Sequence, residues 1–254
     1  MSAVELLPDV WIVGTADAAS PAFTDPYDCV QYLIARNGTG VLIDTGTGRG
    51  IDRTLANIEQ VLPLDALAGA LVTHCHADHG GGAAGLLAAG VAVLASERTA
   101  RALEQADESL TQLGIARSAG VYPSDYSMEP APGIMAIGSG HVVEFSGRTI
   151  TALEGPGHCD GHMCFVLDAD GSRSLFSGDT VFSGGRIAMQ AIRDCRLDDY
   201  ASTVIALDGL GIARLFPGHG APVLAQAGRD IGAAAASFRA LVPPPNFLSS
   251  PGFE

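Results

Sequence analysis

Lysine is missing from this chain of 254 residues, in which all fourteen basic residues are arginine. Without a lysine amine, covalent catalysis through a Schiff base and a phosphate loop of the G-x-x-x-x-G-K-[ST] type are both excluded. The 28 acidic residues bring the formal net charge to −14. Such a chain lacks the basic surface that displaces counterions from phosphate backbones or anionic lipids. We therefore expect neither nucleic acid nor a membrane as a partner.

Long apolar runs and paired cysteines are also missing. No run approaches the roughly 20 apolar residues of a membrane-spanning helix. The N-terminal MSAVELLPDVW lacks the basic and apolar regions of a secretion signal. The five cysteines form an odd set without a C-x-x-C pair, which favours a reducing compartment; they are Cys29, Cys75, Cys159, Cys164 and Cys195. We expect a globular, cytoplasmic protein in which most cysteines fill the core.

Strand-like runs fall into two series, at about residues 10–95 and 141–217, and helical patterns accompany each series. In the first series, Asn37-Gly38 between two apolar runs predicts a hairpin. This order predicts an α/β protein with two mixed β-sheets packed face to face and helices outside, a four-layer αββα sandwich. We predict one domain over residues 1–254. An irregular excursion rich in Pro, Gly, Ser and Asp, at about residues 107–138, is expected to cap the substrate site.

The stretch THCHADHGGG, residues 73–82, holds three of the seven histidines. His74 and His76 are two apart, so at the extended end of a strand they point to the same side. Asp78 and His79 follow where the pattern turns into a helix. Neutral imidazole and carboxylate suit Zn²⁺, Fe²⁺ or Mn²⁺. The cluster therefore predicts a metal site, with glycines that let the next helix pack close beneath it.

Three further candidates lie at the ends of other strand-like runs: His158 in EGPGHCDGH, Asp179 in LFSGDT and His219 in LFPGHG. Each lies among glycines, which permit tight turns, so that side chains from distant strand ends converge. Taken together with the histidine cluster, they complete two metal sites.

HCHADH followed in order by GPGH, SGD and PGHG resembles the metallo-β-lactamase-fold superfamily of hydrolases. The resemblance runs from VLIDTG, which contains Asp44, through His219, and it implies the αββα fold. Asp44 matches the superfamily's first motif, whose aspartate supports the loops around the site. The resemblance implies two metals and seven ligands: His74, His76 and His158 on the first metal, Asp78, His79 and His219 on the second, and Asp179 bridging both. Related folds are often dimers, so a homodimer is one assembly that the resemblance allows.

This ligand set predicts a hydrolase of a small-molecule ester, thioester or lactone. Two cations about 3.5 Å apart share a water and lower its pKa towards ~7, which gives a bridging hydroxide nucleophile at neutral pH. Zn²⁺ is the first expectation for both ions, with Mn²⁺ or Fe²⁺ as alternatives. Asp78 and Asp179 are the predicted catalytic residues, and Asp78 would also orient the hydroxide or relay its proton.

Several members of the superfamily fit less well. True β-lactamases of this fold have Cys or Ser where Asp179 stands. Glyoxalase II shares the ligands, but its Lys/Arg-Phe-Tyr stretch for glutathione is missing. Phe182 occupies the region where acyl-homoserine lactonases carry a tyrosine, and RNase Z-type nucleases require a basic arm.

Two hypotheses from other functional classes stay open. Persulfide dioxygenases resemble the chain at THCHADH and hold a single Fe²⁺ on the counterparts of His74, His158 and Asp179. Their GRTDF-like stretch is replaced here by GGRIAMQ. A catalytically dead binding scaffold would be expected to have lost ligands, and none is lost.

Four residues near these motifs are not assigned to the metal site. His162 is expected to pack behind the ligands, and His141 to be structural. Arg186 and Arg193 lie where a cation would meet a substrate carboxylate, although a surface role is the expectation for each.

Overall fold

The computed structural model describes residues 2–249, so Met1 and residues 250–254, the ends of the predicted domain, lie outside the described residues. The chain divides into two compact units, a first unit that ends at Ile137 and a second unit that begins at Gly138. The assignment of one domain to residues 1–254 stays a prediction. Within residues 2–249, no helix combines the length and the apolar character needed to span a bilayer.

The first unit contains a seven-stranded mixed sheet. Its strands are β1 (Val4–Leu7), β2 (Val10–Gly14), β3 (Gln31–Arg36), β4 (Thr39–Ile43), β5 (Leu67–Leu71), β6 (Val93–Ser96) and β7 (Met135–Ile137). They follow one another across the sheet in chain order. The pairs from β1 to β4 are antiparallel, and those from β4 to β7 are parallel.

Six α-helices accompany this sheet among the described residues: α1 (Ile51–Glu59), α2 (Ala77–Gly80), α3 (Ala83–Ala88), α4 (Glu97–Gln105), α5 (Glu108–Thr111) and α6 (Leu113–Ser118). A 3₁₀ turn, Leu64–Ala66, precedes β5. The core combines apolar residues of the strands, such as Leu42 and Ala70, with Leu86 and Leu103 of the helices.

The Asn-Gly hairpin is confirmed. Arg36 pairs with Thr39 across the β3–β4 turn. Asn37 and Gly38 both have positive φ, 50° and 77°. Two-residue turns of this kind match the right-handed twist of the flanking strands, and asparagine and glycine tolerate them.

The 107–138 excursion is more ordered than the sequence suggested. Residues 108–118 form α5 and α6, and β7 adds a parallel strand beside β6. Met128, Ala131 and Ile134 are buried in the core of the first unit. The prediction of an irregular segment was therefore wrong for these parts. Helices of four and six residues are too short to produce the apolar periodicity on which the prediction relied.

The second unit contains a five-stranded mixed sheet and two longer helices. Its elements are β8 (Val142–Phe145), β9 (Arg148–Glu154), β10 (Met163–Ala169), β11 (Ser172–Gly178), α7 (Leu197–Asp208), β12 (Ile212–Pro217) and α8 (Gly228–Arg239), with 3₁₀ turns at Ser183–Gly185 and Phe247–Ser249. The strand order is β12-β11-β10-β9-β8. Only the β11–β12 pair is parallel among these described strands.

The parallel pairs decide where the candidate residues lie. In the first unit, β4 and β5 are parallel, and Asp44 and the histidine cluster follow their carboxyl ends. In the second unit, β11 and β12 are parallel, and Asp179 and His219 follow theirs. Because parallel strands end at the same edge of a sheet, each pair gathers polar residues that are far apart in sequence.

The glycines after the histidine cluster allow close packing, as predicted. A Cβ on Gly82 would lie 2.2 Å from the Thr45 carbonyl oxygen, and one on Gly81 would lie 2.5 Å from the carbonyl oxygens of Ala77 and Thr47. The backbone between α2 and α3 thus lies directly against the loop after β4.

Replacing Gly82 with Ala tests this packing. Overpacking a tight contact costs about 1–3 kcal/mol, which in a chain of this size lowers the melting temperature by about 2–12 °C. Gly138→Ala is the matched control because a Cβ there meets nothing within 4 Å. Circular dichroism melts of both variants should separate them, and equal melting temperatures would contradict the packing argument.

Candidate metal centre

Asp44 lies at the base of the cluster in the first unit and is buried. Its Oδ1 accepts hydrogen bonds from the Thr73 backbone N–H (2.7 Å) and the Thr73 hydroxyl (2.9 Å), and its Oδ2 accepts from His79 Nδ1 (2.8 Å). Hydrogen bonds to the carboxylate offset the cost of burying it. Asp44 therefore supports the loop that carries the histidines, as its motif predicted.

The same contacts determine which nitrogen each imidazole presents. The Thr73 hydroxyl donates a hydrogen bond to Asp44, and its Oγ1 lies 3.0 Å from His74 Nδ1. Because the hydroxyl hydrogen is already used, Oγ1 accepts a hydrogen bond from the Nδ1–H of His74. The Nδ1–H of His79 donates a hydrogen bond to Asp44. Since a neutral imidazole carries one N–H, Nε2 of both histidines is left as a lone-pair donor. Thr73 directly precedes the cluster in sequence, but its role was not predicted.

The nitrogens that remain converge within the first unit. His74 Nε2 lies 3.0 Å from His76 Nδ1, and His79 Nε2 lies 3.6 Å from Asp78 Oδ2. His74 and His79 are fully buried, and the Asp78 side chain is 15% exposed. These four atoms are the nitrogen and oxygen donors that borderline divalent metals prefer.

Asp78 has a second contact that the sequence did not predict. The Tyr122 hydroxyl donates to Asp78 Oδ1 at 3.0 Å. Burial, together with the adjacent Asp78 charge, raises the pKa of Tyr122 well above its usual value, so the phenol stays protonated and acts as the donor. Tyr122 belongs to the 107–138 excursion, where no pattern singled it out.

The second unit presents three candidate ligands around one carboxylate oxygen. Asp179 Oδ2 lies 3.6 Å from His158 Nε2 and 3.6 Å from His219 Nε2. His158 Nδ1 donates to the Ala188 carbonyl oxygen at 2.8 Å, which leaves Nε2 as the lone-pair donor. One oxygen of Asp179 is thus close to two imidazole nitrogens, and its bridging role stays a prediction.

Two residues hold the Asp179 turn from behind. The buried Tyr200 hydroxyl donates to the Asp179 carbonyl oxygen at 2.5 Å and accepts from the Ala188 backbone N–H at 3.2 Å. His162 Nε2 accepts from the Asp179 backbone N–H at 3.1 Å. This bond engages His162 Nε2 with backbone, in agreement with the expectation that His162 packs behind the ligands. The helical pattern containing Tyr200 gave no hint of this hydroxyl.

Cys29, Asp44 and His79 also form a compact group, with donor atoms within 4.8 Å of one another. Burial raises the pKa of the Cys29 thiol, so it does not offer a thiolate, and His79 Nδ1 already donates to Asp44. The group thus places the protonated Cys29 thiol beside the hydrogen bond between Asp44 and His79. Cys75, beside two candidate ligands, directs its thiol to the Leu110 carbonyl oxygen at 3.4 Å.

Residue 182, in the region where acyl-homoserine lactonases of the superfamily carry a tyrosine, is a phenylalanine. Phe182 is buried and stacks on Phe247 with ring centroids 4.2 Å apart. The Arg186 guanidinium lies 4.9 Å from the centroid of the Phe247 ring and donates to the Ser183 carbonyl oxygen. Arg193 is exposed, as expected of a surface residue.

The family model of the metallo-beta-lactamase superfamily matches residues 24–219, which include Asp44 and all seven candidate ligands. The chain belongs to the metallo-beta-lactamase superfamily. A metallo-beta-lactamase with an HARLDQ motif from Cronobacter sakazakii is similar in structure, with a TM-score of 0.69 and 19% identity over 95% of this chain and 97% of that one. The expected α/β class, with two mixed sheets flanked by helices as in this superfamily's fold, is confirmed.

Two proteins named as thioesterases are similar to the chain in sequence. The thioesterase pkgB of Emericella nidulans is 28% identical over 198 residues, which make up 76% of this chain and 46% of that protein. An atrochrysone carboxyl ACP thioesterase of Aspergillus fumigatus is 28% identical over 198 residues, 76% of this chain and 50% of that one. The chain thus spans about half the length of the curated relatives it matches.

Asp44→Asn tests the support of His79. The amide cannot accept from Thr73 and His79 as a carboxylate does, so we expect the Zn²⁺ affinity of the purified protein to fall about 10–100-fold. Asp9→Asn is the control, since Asp9 forms a partly exposed ion pair with Arg36 at 3.1 Å, and such pairs contribute little. Equal Zn²⁺ affinities of the two variants in a chelator competition would contradict this role.

Proposed function

We propose that this superfamily member is a metal-dependent hydrolase of small thioesters. Its proposed ligands are His74, His76, Asp78, His79, His158, Asp179 and His219, with two divalent ions, Zn²⁺ first among the candidates. The proposal rests mainly on the orientation and tautomer of the imidazoles. The Nδ1 atoms of His74, His79 and His158 are each held by a hydrogen bond, which leaves Nε2 as a metal donor.

Thioesters are proposed ahead of esters and lactones for two reasons. Two relatives are named as thioesterases. Phe182, stacked on Phe247, supplies no hydroxyl of the kind that the lactonase resemblance would require. A net charge of −14 disfavours docking of an acidic carrier protein. We therefore propose a small, diffusible thioester as the substrate.

The mechanism follows from the roles of the chain's own residues. Two bound divalent ions would supply an activated water at neutral pH and polarise the substrate carbonyl. The Asp44 carboxylate and the Thr73 hydroxyl keep His79 and His74 in the tautomer that presents Nε2. The Asp78 carboxylate accepts a proton from the attacking water and passes it to the leaving sulfur as the C–S bond breaks.

The first test is metal content. Protein purified without added metal should hold about two Zn²⁺ or Mn²⁺ ions per chain by elemental mass spectrometry. Chelation should remove the activity against a panel of small acyl thioesters, and Zn²⁺ should restore it. One iron per chain, together with oxygen uptake on addition of glutathione persulfide, would instead support the persulfide dioxygenase.

The second test replaces the two predicted catalytic residues. With a substrate from the panel, Asp78→Ala and Asp179→Ala should each lower kcat by about 10²–10⁴-fold, since each loses a ligand and, for Asp78, a proton relay. Asp168→Ala is the control because Asp168 forms an exposed ion pair with Arg173 at 2.9 Å. Near-normal rates in either ligand variant would refute the mechanism.

The cytoplasmic location and the homodimer stay predictions.

A further inference from the structure

The two carboxylate oxygens of Asp78 have different surroundings. Oδ2 lies 3.6 Å from His79 Nε2, among the proposed metal donors. Oδ1 accepts from the Tyr122 hydroxyl at 3.0 Å. A carboxylate can bind a metal through one oxygen or both, or rotate so that the oxygens exchange. The Tyr122 contact restricts this rotation by engaging one oxygen.

The backbone of Asp78 is already held. The Cys29 backbone N–H donates to the Asp78 carbonyl oxygen at 3.2 Å, and the residue lies in the first turn of α2. The orientation of the side chain is the freedom that remains. A hydrogen bond to Oδ1 limits the rotation of the carboxylate and so determines the direction in which Oδ2 points.

Tyr122 is itself held by aromatic and polar contacts. Its ring lies beside those of Tyr27 and Tyr126, with centroid separations of 5.8 Å and 5.4 Å. The Tyr126 hydroxyl donates to the Thr47 carbonyl oxygen at 2.7 Å, and Arg117 donates to the Tyr126 carbonyl oxygen at 2.7 Å. The donor to Asp78 therefore belongs to an anchored segment.

We propose that Tyr122 is a positioning residue that holds Asp78 so that Oδ2, and not Oδ1, is presented to the metal. This inference rests on the proposed metal role of Asp78. It gives the 107–138 excursion a role in metal binding, in addition to the predicted capping of the substrate. The hydroxyl carries this role, because the ring alone cannot donate to a carboxylate.

Tyr122→Phe removes the hydroxyl and keeps the ring. We expect the Zn²⁺ affinity of the more weakly held ion to fall about 10–100-fold, the usual cost of losing a partner of a metal ligand. The affinity is measured without substrate, by competition with a chromophoric chelator, and the Co²⁺-loaded protein should show a changed visible absorption band. Tyr27→Phe is the matched control, since it loses a hydroxyl from the same aromatic group but keeps the ring beside Tyr122.

A double-mutant cycle separates positioning from a structural role. In an Asp78→Asn background, removing the Tyr122 hydroxyl should lower the Zn²⁺ affinity no further, because its target has already changed. Additive losses, an unchanged affinity in Tyr122→Phe, or equal losses in Tyr122→Phe and Tyr27→Phe would each overturn the proposal. Wild-type protein that binds no divalent metal would overturn it together with the proposed function. Protein that binds metal but cleaves no thioester would refute only the thioesterase assignment.

Discussion

The buried Asp44 carboxylate is the interaction on which the candidate centre of the first unit depends. It binds the backbone and the hydroxyl of Thr73 and the imidazole of His79, so it joins the end of β4 to the loop after β5. A carboxylate taken from water requires such partners, and here each partner is itself a candidate metal ligand or the residue beside one. The folding requirement and the chemical requirement are therefore met by the same hydrogen bonds.

Both units use a parallel strand pair to gather polar side chains, but they orient their imidazoles differently. In the first unit a carboxylate accepts a hydrogen bond from the Nδ1–H of His79, and a hydroxyl accepts one from the Nδ1–H of His74. In the second unit a backbone carbonyl, that of Ala188, accepts the Nδ1 proton of His158, and the Tyr200 hydroxyl holds that loop. A carboxylate partner raises the basicity of the imidazole more than a carbonyl does. The two units thus orient these histidines with acceptors of different charge.

The sequence was sufficient for features that depend on local pattern. The spacing of His74, His76, Asp78 and His79 after an apolar run, and the Asn-Gly turn, are each contained in a few adjacent residues. Tyr122 and Tyr200 were missed because their contacts span 44 and 21 residues of sequence. A tyrosine in a helical or irregular stretch has no periodicity that reports where its hydroxyl will bond. The short helices of the excursion were missed for a related reason, since one turn of helix produces no repeat.

The backbone of Asp44 adds a second requirement to the same position. Its φ is 60°, in the left-handed region that side chains other than those of asparagine, aspartate and glycine adopt at a cost. Glycine would suit that backbone but lacks the carboxylate, whereas glutamate supplies a carboxylate on a residue that disfavours the conformation. We therefore expect the position to accept few other side chains. A saturation library at residue 44 would report on backbone geometry and metal support together, with aspartate as the one side chain that satisfies both.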